Sequence, residues 1–254
     1  MSTQERDPAR DDVVTAANEI LVASGERGAV MRALGGVAIA LRCRSARPPG
    51  ALTRSYSDID FVARRRDARA ITSAFVGAGF GPAERFNAIQ AGSRMQFDYG
   101  GLIHADVFLE EFRMCHRLRL GRRLSIHERT VSLADLLLTK LQVAKLSSKD
   151  VSDLGALLLD HDLTDDESGI NSEYVRELLT QDWGWWRTAT ETLARVESLA
   201  GSLPVDSESS AVIVTRAAAL HELVTTAHKG VRWRARAVLG ERRPWREDPE
   251  EVAN

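Results

Sequence analysis

The sequence feature that most restricts the fold is a pair of carboxylates separated by one apolar residue, Asp58-Ile59-Asp60. Successive side chains of a β-strand point to opposite faces, so this spacing places Asp58 and Asp60 on one face and Ile59 on the other, toward a core. Another carboxylate, Asp106, lies inside the apolar run 102–108. Strands are depleted in acidic residues, and charged side chains are seldom buried without partners, so these positions indicate a functional edge of a sheet.

Carboxylates from neighbouring strands would supply hard oxygen ligands of the kind that hold Mg²⁺ against a triphosphate. We therefore predict a site for two Mg²⁺ ions, with Asp58, Asp60 and Asp106 as the ligands. Gly35 and Gly36 end a short apolar run and precede a predicted helix. The N–H groups at such a helix start favour phosphate, because they lack partners within the helix.

Composition and patterning restrict the class of protein. A chain of 254 residues, 44% apolar and with a formal net charge of −2, is long enough for one large domain or two ordinary ones. No apolar run reaches the roughly 20 residues of a membrane span, and residues 1–12 lack the apolar core of a signal peptide. Cys43 and Cys115 are too few for a disulfide framework. These observations predict a cytoplasmic protein without a membrane partner.

The order of apolar patterns predicts an α+β fold, with a mixed β-sheet flanked by helices and a C-terminal helical region. Gly100 and Gly101 separate two strand-like runs, which is typical of a hairpin. Ser132 followed by Asp135 is typical of a helix-start capping box, and the pattern is helical from there on. We predict one domain over 13–130 and a helical one over 131–254. The predicted strands are 29–34, 57–63, 94–99 and 102–109, and the predicted helices are 13–23, 66–77, 148–159, 173–199 and 211–239.

The order of these motifs is informative in itself. The glycine pair followed by Asp58-Ile59-Asp60 resembles the first motif of the DNA polymerase β-like nucleotidyltransferases. The acidic and basic residues that follow are similar to those of the abortive-infection (AbiEii-type) nucleotidyltransferase toxins, over roughly residues 20 to 162. Gly36 stands where serine is commoner, and His104 where many of these toxins have lysine. The residues carrying this second resemblance are Asp106, Asp135, Lys140, Lys149, Asp150 and Asp153.

The resemblance implies a nucleotidyltransferase fold and a metal-dependent enzyme that moves a nucleoside monophosphate from ATP or another NTP to an acceptor hydroxyl. It implies that Asp58, Asp60 and Asp106 are both the catalytic residues and the metal ligands. It further implies an RNA acceptor such as a tRNA end, the role of a toxin in a toxin–antitoxin system, and an antitoxin protein as partner. The residues implied to bind the nucleotide are Gly35, Gly36, Lys140, Asp150 and Asp153. Ser57 is a further candidate, since its hydroxyl could bind phosphate, although it also suits the start of a strand.

Other interpretations stay open on the sequence alone. The acceptor could be a small molecule, as in enzymes similar to aminoglycoside nucleotidyltransferases, or the chain could be a non-catalytic nucleotide-binding module. Asp135 is also explained by helix capping, and Lys140 by a lysine that snorkels from an apolar helix. Asp150 and Asp153 share a helix face, where they could pair with cations. The arginine-rich segments 64–66 and 113–123 would attract RNA phosphates or lie on solvated surfaces. Arg94 would reach the nucleotide phosphates or lie on a solvated edge of the sheet.

Overall fold

The computed structural model describes residues 13–247, which form two compact units. The predicted fold class, α+β with a mixed sheet flanked by helices, is confirmed. The division near 131 lies close to the predicted one, but 43–54 and 113–118 belong to the second, helical unit. The assignment of catalysis to the first unit stays a prediction. The first unit comprises 13–42, 55–112 and 119–131 of the described residues, and the second comprises 43–54, 113–118 and 132–247.

The helices and strands follow one another along the chain with short connections. In the first half they are α1 (Val13–Glu26), β1 (Met31–Leu34), α2 (Gly35–Arg42), β2 (Asp58–Ala63), α3 (Ala68–Gly77), β3 (Gly81–Pro82), α4 (Glu84–Ile89), β4 (Arg94–Tyr99), β5 (Ile103–Leu109), β6 (Glu111–Arg113) and β7 (Arg117–Arg119). In the second half they are α5 (Leu133–Leu141), α6 (Ser148–Asp160), β8 (Leu163–Thr164), β9 (Ile170–Asn171), α7 (Ser172–Gln181), α8 (Trp183–Leu199), α9 (Ser207–Thr226) and α10 (Val231–Leu239).

A five-stranded mixed sheet organises the first unit, in the order β1-β2-β5-β4-β3. Strand β2 runs parallel to β5 and antiparallel to β1, and β4 runs antiparallel to β5. The hairpin predicted at Gly100 and Gly101 is confirmed, and both glycines have positive φ. Since β2 and β5 are adjacent and parallel, their side chains alternate in step, and residues paired in register share a face.

One face of this sheet is the apolar core of the first unit. Ile59, Phe61 and Phe97 are almost fully buried on that face. The ring of Phe75, from α3, stacks on the ring of Phe97 with centroids 4.0 Å apart, and it meets the ring of Phe61 edge-on at 5.9 Å. Aromatic pairs in these geometries add about 1 kcal/mol each beyond their buried area. This packing fixes the rotation of β2 and therefore turns Asp58 and Asp60 to the other face.

Leucine-rich helices form the core of the second unit, and Leu136, Leu137, Leu154 and Leu157 are fully buried there. Helix α8 starts at Trp183, whose side chain is buried in this core. None of the helices within 13–247 combines the length and the apolar character that a bilayer crossing requires.

Two of the long predicted helices are interrupted. The segment predicted as a helix over 173–199 consists of α7 and α8, because Asp182 leaves the helical conformation and its carboxylate accepts a hydrogen bond from the Trp185 N–H at 3.0 Å. The segment predicted over 211–239 is likewise split into α9 and α10, and Gly230 is the extended residue that precedes α10. Both corrections have a local cause, since capping residues compete with continuation of the helix.

Candidate active site

The three predicted carboxylates lie on one face of the sheet in the first unit. Asp60 of β2 is the direct register partner of Asp106 of β5, and Asp58 is the partner of His104. Asp58 is exposed, while Asp60 and Asp106 are half-buried. The structure therefore brings together residues that are far apart in the sequence, on the face opposite the aromatic core. Their catalytic role stays a prediction.

The glycine turn lies directly against this acidic face. Gly35 begins helix α2 immediately after β1, with φ of +64°, a conformation that glycine adopts without a Cβ penalty. A Cβ at this position would lie 2.4 Å from Oδ2 of Asp60, so any side chain here would displace that carboxylate. Gly36 is the second residue of α2 and is half-buried. The start of α2 and the Asp60 carboxylate thus share one small space.

Asp58 has a local hydrogen-bond partner. The Ser57 hydroxyl donates to its Oδ2 at 2.8 Å. Ser57 was predicted to contact the nucleotide, and in this structure its hydroxyl orients a predicted metal ligand. The next row of the same face pairs His104 with Asp98, with His104 Nδ1 and Asp98 Oδ2 2.8 Å apart.

Asp106 is held by an arginine from the neighbouring strand. Arg94 of β4 donates from Nε to Oδ1 at 2.8 Å and from Nη2 to Oδ2 at 2.7 Å, so both carboxylate oxygens accept from one guanidinium. The guanidinium also lies over the rings of Phe108, at 4.9 Å, and Phe86, at 5.6 Å. The sequence predicted for Arg94 either a contact with the nucleotide phosphates or a solvated position at the edge of the sheet. The signal for this ion pair is the strand register, in which Arg94 pairs with Phe108 and so lies diagonal to Asp106.

The acidic face suits a divalent cation by its chemistry. Carboxylate oxygens are the ligands that Mg²⁺ prefers, and the turn at Gly35 leaves room beside Asp60 that a Cβ would fill. Across residues 13–247, however, no group of three or more histidine, cysteine, aspartate or glutamate side chains is close enough to form a metal site as it stands. Asp106 is in addition already paired with the Arg94 guanidinium, at 2.7 Å.

Lys140, Asp150 and Asp153 belong to a compact ion network in the second unit. Lys140 Nζ lies 2.7 Å from Asp153 Oδ2 and 3.1 Å from Asp150 Oδ1. Arg54 binds both oxygens of Asp153, at 2.9 and 2.8 Å. The Asp150 N–H donates to the Ser147 hydroxyl at 3.3 Å and the Ser147 N–H donates to the Asp150 carboxylate at 3.1 Å, which forms a capping box at the start of α6. Two cations thus balance two carboxylates, and a role of these residues in nucleotide binding stays a prediction.

Protonation in this network follows from its geometry. Burial by itself lowers the pKa of the Lys140 ammonium, but the Asp153 and Asp150 carboxylates outweigh it, so the pKa lies above its ordinary value. Burial by itself raises the pKa of Asp150, but Lys140 and the bonds from Ser147 outweigh that effect, so this pKa is lowered. Both residues are therefore charged at neutral pH.

Asp135 has the capping contact expected from its spacing. Its backbone N–H donates to the Ser132 hydroxyl at 3.1 Å, and that hydroxyl donates to the Asp135 carboxylate at 2.8 Å. Asp135 is fully buried. A helix start therefore accounts for this residue.

Glu110 joins two arginine-bearing segments of the first unit. It has a positive φ of 71°, which is uncommon for a residue other than glycine. Its carboxylate accepts from the Arg65 N–H at 2.9 Å, and its carbonyl accepts from the N–H groups of Leu120 and Gly121 at 2.9 and 2.8 Å. The backbones of 64–66 and 119–122 are thereby held close together. The exposed arginines of these segments are Arg65, Arg66, Arg119 and Arg122.

Comparisons with known proteins give little further guidance. No family model matches the chain, and no curated protein matches it either. Among solved structures, the chain is similar to the antibiotic-resistance factor ANT(2'')-Ia, whose solution structure is described as revealing substrate-regulated conformation dynamics. The similarity covers 82% of this chain and 95% of that one, at 16% identity and a TM-score of 0.38. A likeness this distant defines neither a family nor an activity.

Proposed function

We propose that the protein is a metal-dependent nucleotidyltransferase of the DNA polymerase β-like type. The observation that carries this proposal is the register of β2 and β5, which sets Asp60 beside Asp106, with Asp58 two residues away and the start of α2 against Asp60. This combines carboxylates with a phosphate-binding helix start, the two elements that transfer at phosphorus requires. The sequence motifs support the same conclusion independently.

In the proposed reaction an acceptor hydroxyl attacks the α-phosphorus of an NTP. The new oxygen–phosphorus bond forms as the bond to the bridging oxygen breaks, and pyrophosphate leaves with that oxygen. Asp58, Asp60 and Asp106 would hold two Mg²⁺ ions, which when bound neutralise the triphosphate and lower the pKa of the attacking hydroxyl. The N–H groups of Gly35 and Gly36 would bind the phosphates. Asp106 would orient the acceptor and take its proton.

We further propose that the acceptor is RNA, such as a tRNA end. The support is the exposed arginine cluster that Glu110 assembles, since closely spaced arginines attract a phosphate backbone without reading its sequence. The motif resemblance adds the role of a toxin whose activity an antitoxin protein controls. Acceptor binding should then weaken steeply with added salt.

The decisive experiment is transfer of label from α-labelled NTPs to total cellular RNA in Mg²⁺. We expect labelled RNA with the wild-type protein and a loss of at least about 100-fold with Asp60→Asn, because a metal ligand is removed while the side-chain volume is kept. Asp165→Asn, at an exposed position of the second unit, serves as a matched control and should retain full transfer. Undiminished transfer by Asp60→Asn would exclude the proposed site. Transfer to a small hydroxylated molecule but not to RNA would exclude the proposed acceptor only.

A further inference from the structure

We propose that Arg94 is the resident cation of the acidic face in the metal-free protein, and that Asp106 passes from Arg94 to the divalent cation when the cation binds. The inference rests on the proposed function, because that function supplies the reason for a cation to bind here. It concerns how the site is loaded, which neither the motifs nor the proposed reaction describes.

The first support is the geometry of the contact. Arg94 donates to both oxygens of Asp106, at 2.8 and 2.7 Å, through the two prongs of its guanidinium. Bidentate contacts of this kind are strong and directional. A divalent cation that approached the same oxygens would meet a full positive charge at hydrogen-bond distance. Arg94 and the cation therefore compete for Asp106.

The second support is the charge balance across the two strands. Asp60 and Asp106 are direct register partners on adjacent strands, and like charges at such positions destabilise a sheet. Arg94 forms an ion pair with Asp106 and so balances one of these two charges. It stabilises Asp106 next to Asp60 while no metal is present, and its contribution becomes unnecessary once a divalent cation neutralises both carboxylates.

The third support is the pair of aromatic rings that hold the guanidinium independently of Asp106. Arg94 lies over the rings of Phe86 and Phe108, at 5.6 and 4.9 Å. Aromatic faces attract a guanidinium through the ring quadrupole and leave its N–H groups free. After it releases Asp106, Arg94 can stay between these rings and donate to an anion. The triphosphate of the proposed substrate is such an anion, so Arg94 should oppose binding of the cation alone and assist binding of the nucleotide.

The test measures separately how Arg94 changes the affinity for the cation alone and the affinity for the nucleotide. Binding of Mn²⁺ alone, followed by electron paramagnetic resonance, should be on the order of tenfold tighter in Arg94→Gln than in the wild type, because a competing charge is removed. Binding of Mg²⁺–NTP, measured by calorimetry, should become on the order of tenfold weaker in the same variant, because a phosphate donor is lost. Arg69→Gln, at an exposed position of α3, is the matched control and should leave both affinities unchanged.

The wild-type protein provides a second measurement if Arg94→Gln does not fold. The Nε–H resonance of Arg94 should shift when Mg²⁺ is added without nucleotide, as its bond to Asp106 is released, and Arg94→Lys should bind Mn²⁺ with intermediate affinity. Equal Mn²⁺ affinity in Arg94→Gln and wild type, or an unchanged Arg94 resonance in a protein that binds the cation, would overturn this inference and leave the proposed function intact. No cation binding by any of these proteins would overturn the metal site and the inference with it.

Discussion

Gly35 and Asp60 fit together because Gly35 lacks a side chain: a Cβ on Gly35 would lie 2.4 Å from Oδ2 of Asp60. The same glycine has a φ of +64°, so two independent requirements coincide at the residue that begins α2. The turn after β1 and the acidic face of β2 therefore constrain each other.

Gly35→Ala should damage both folding and cation binding. The left-handed backbone costs an alanine about 1 kcal/mol, and the added methyl group must displace the Asp60 carboxylate. We expect the free energy of unfolding, measured in urea, to fall by about 2 to 3 kcal/mol in total, since overpacking adds to the backbone cost. Mn²⁺ affinity should fall about tenfold as Asp60 moves.

Gly100 offers a matched control for the cost of placing an alanine in a left-handed backbone conformation. It has a φ of +59°, and nothing lies within 4 Å of a Cβ at this position. Gly100→Ala should therefore cost about 1 kcal/mol of stability and leave Mn²⁺ affinity unchanged. If Gly35→Ala and Gly100→Ala behaved alike in both measurements, the contact with Asp60 would have no energetic significance.

Lys140→Met should destabilise the second unit strongly. Lys140 and Asp153 have side chains only 13% and 2% exposed, and removal of one partner of a buried ion pair leaves a carboxylate with less compensation. Such losses are typically about 3 kcal/mol, and Arg54, which still binds Asp153, should keep the cost near that figure. Thermal and urea unfolding would measure it.

The exposed Lys149, on the helix α6 that carries Asp153, supplies the control, since Lys149→Met should change stability by less than about 0.5 kcal/mol. The two variants, Lys140→Met and Lys149→Met, also test the predicted role of Lys140 in nucleotide binding. If that role is real, Mg²⁺–NTP should raise the melting temperature of Lys149→Met but not that of Lys140→Met. Equal stability of the two variants would show that the ion network contributes little.

The position of the acidic pair could be predicted from the sequence because alternation in a strand is a local rule. Asp58 and Asp60 on one face needed only the period of two residues, and the hairpin between β4 and β5 needed only its glycines. The ion pair between Arg94 and Asp106 depends on the exact register of that hairpin, which turn type and loop length set and which the glycine pair alone does not specify. The contact between Arg54 and Asp153 depends on a segment 99 residues away, so it was beyond prediction.

Helix ends were the other limit of prediction, and Asp182 shows why. No proline lies nearby and Gly184, two residues later, belongs to α8 itself, so the pattern over 173–199 predicted one helix. Asp182→Ala should remove the hydrogen bond to the Trp185 N–H and cost about 1 kcal/mol of stability. Circular dichroism during urea unfolding would measure the loss. Asp165→Ala, in an exposed turn, should be neutral, and an equal cost in both variants would argue against a specific cap.

A buried histidine should make stability depend on pH below neutrality. The His116 ring is buried against the ring of Trp185, with centroids 4.8 Å apart, and its Nε2 lies 2.8 Å from the Thr188 hydroxyl. Burial is the main cause that lowers the pKa of His116 to about 4. Nearby charges have smaller effects: Asp182 and Glu247 raise this pKa, and Arg246 lowers it further.

The direction follows from proton linkage. The unfolded chain takes up a proton near pH 6.5, whereas the folded protein does so only near pH 4, so the unfolded state binds more protons between these values. The neutral ring therefore contributes stability above pH 6.5 that is lost as the pH falls toward 4, by roughly 3 kcal/mol in total. His116→Gln keeps a polar partner for Thr188 but cannot be protonated. This variant should be less stable than the wild type at pH 7.5, and the difference in unfolding free energy should shrink steadily toward pH 4.5. A difference that stays constant across this range would show that the folded protein protonates His116 as readily as the unfolded chain does.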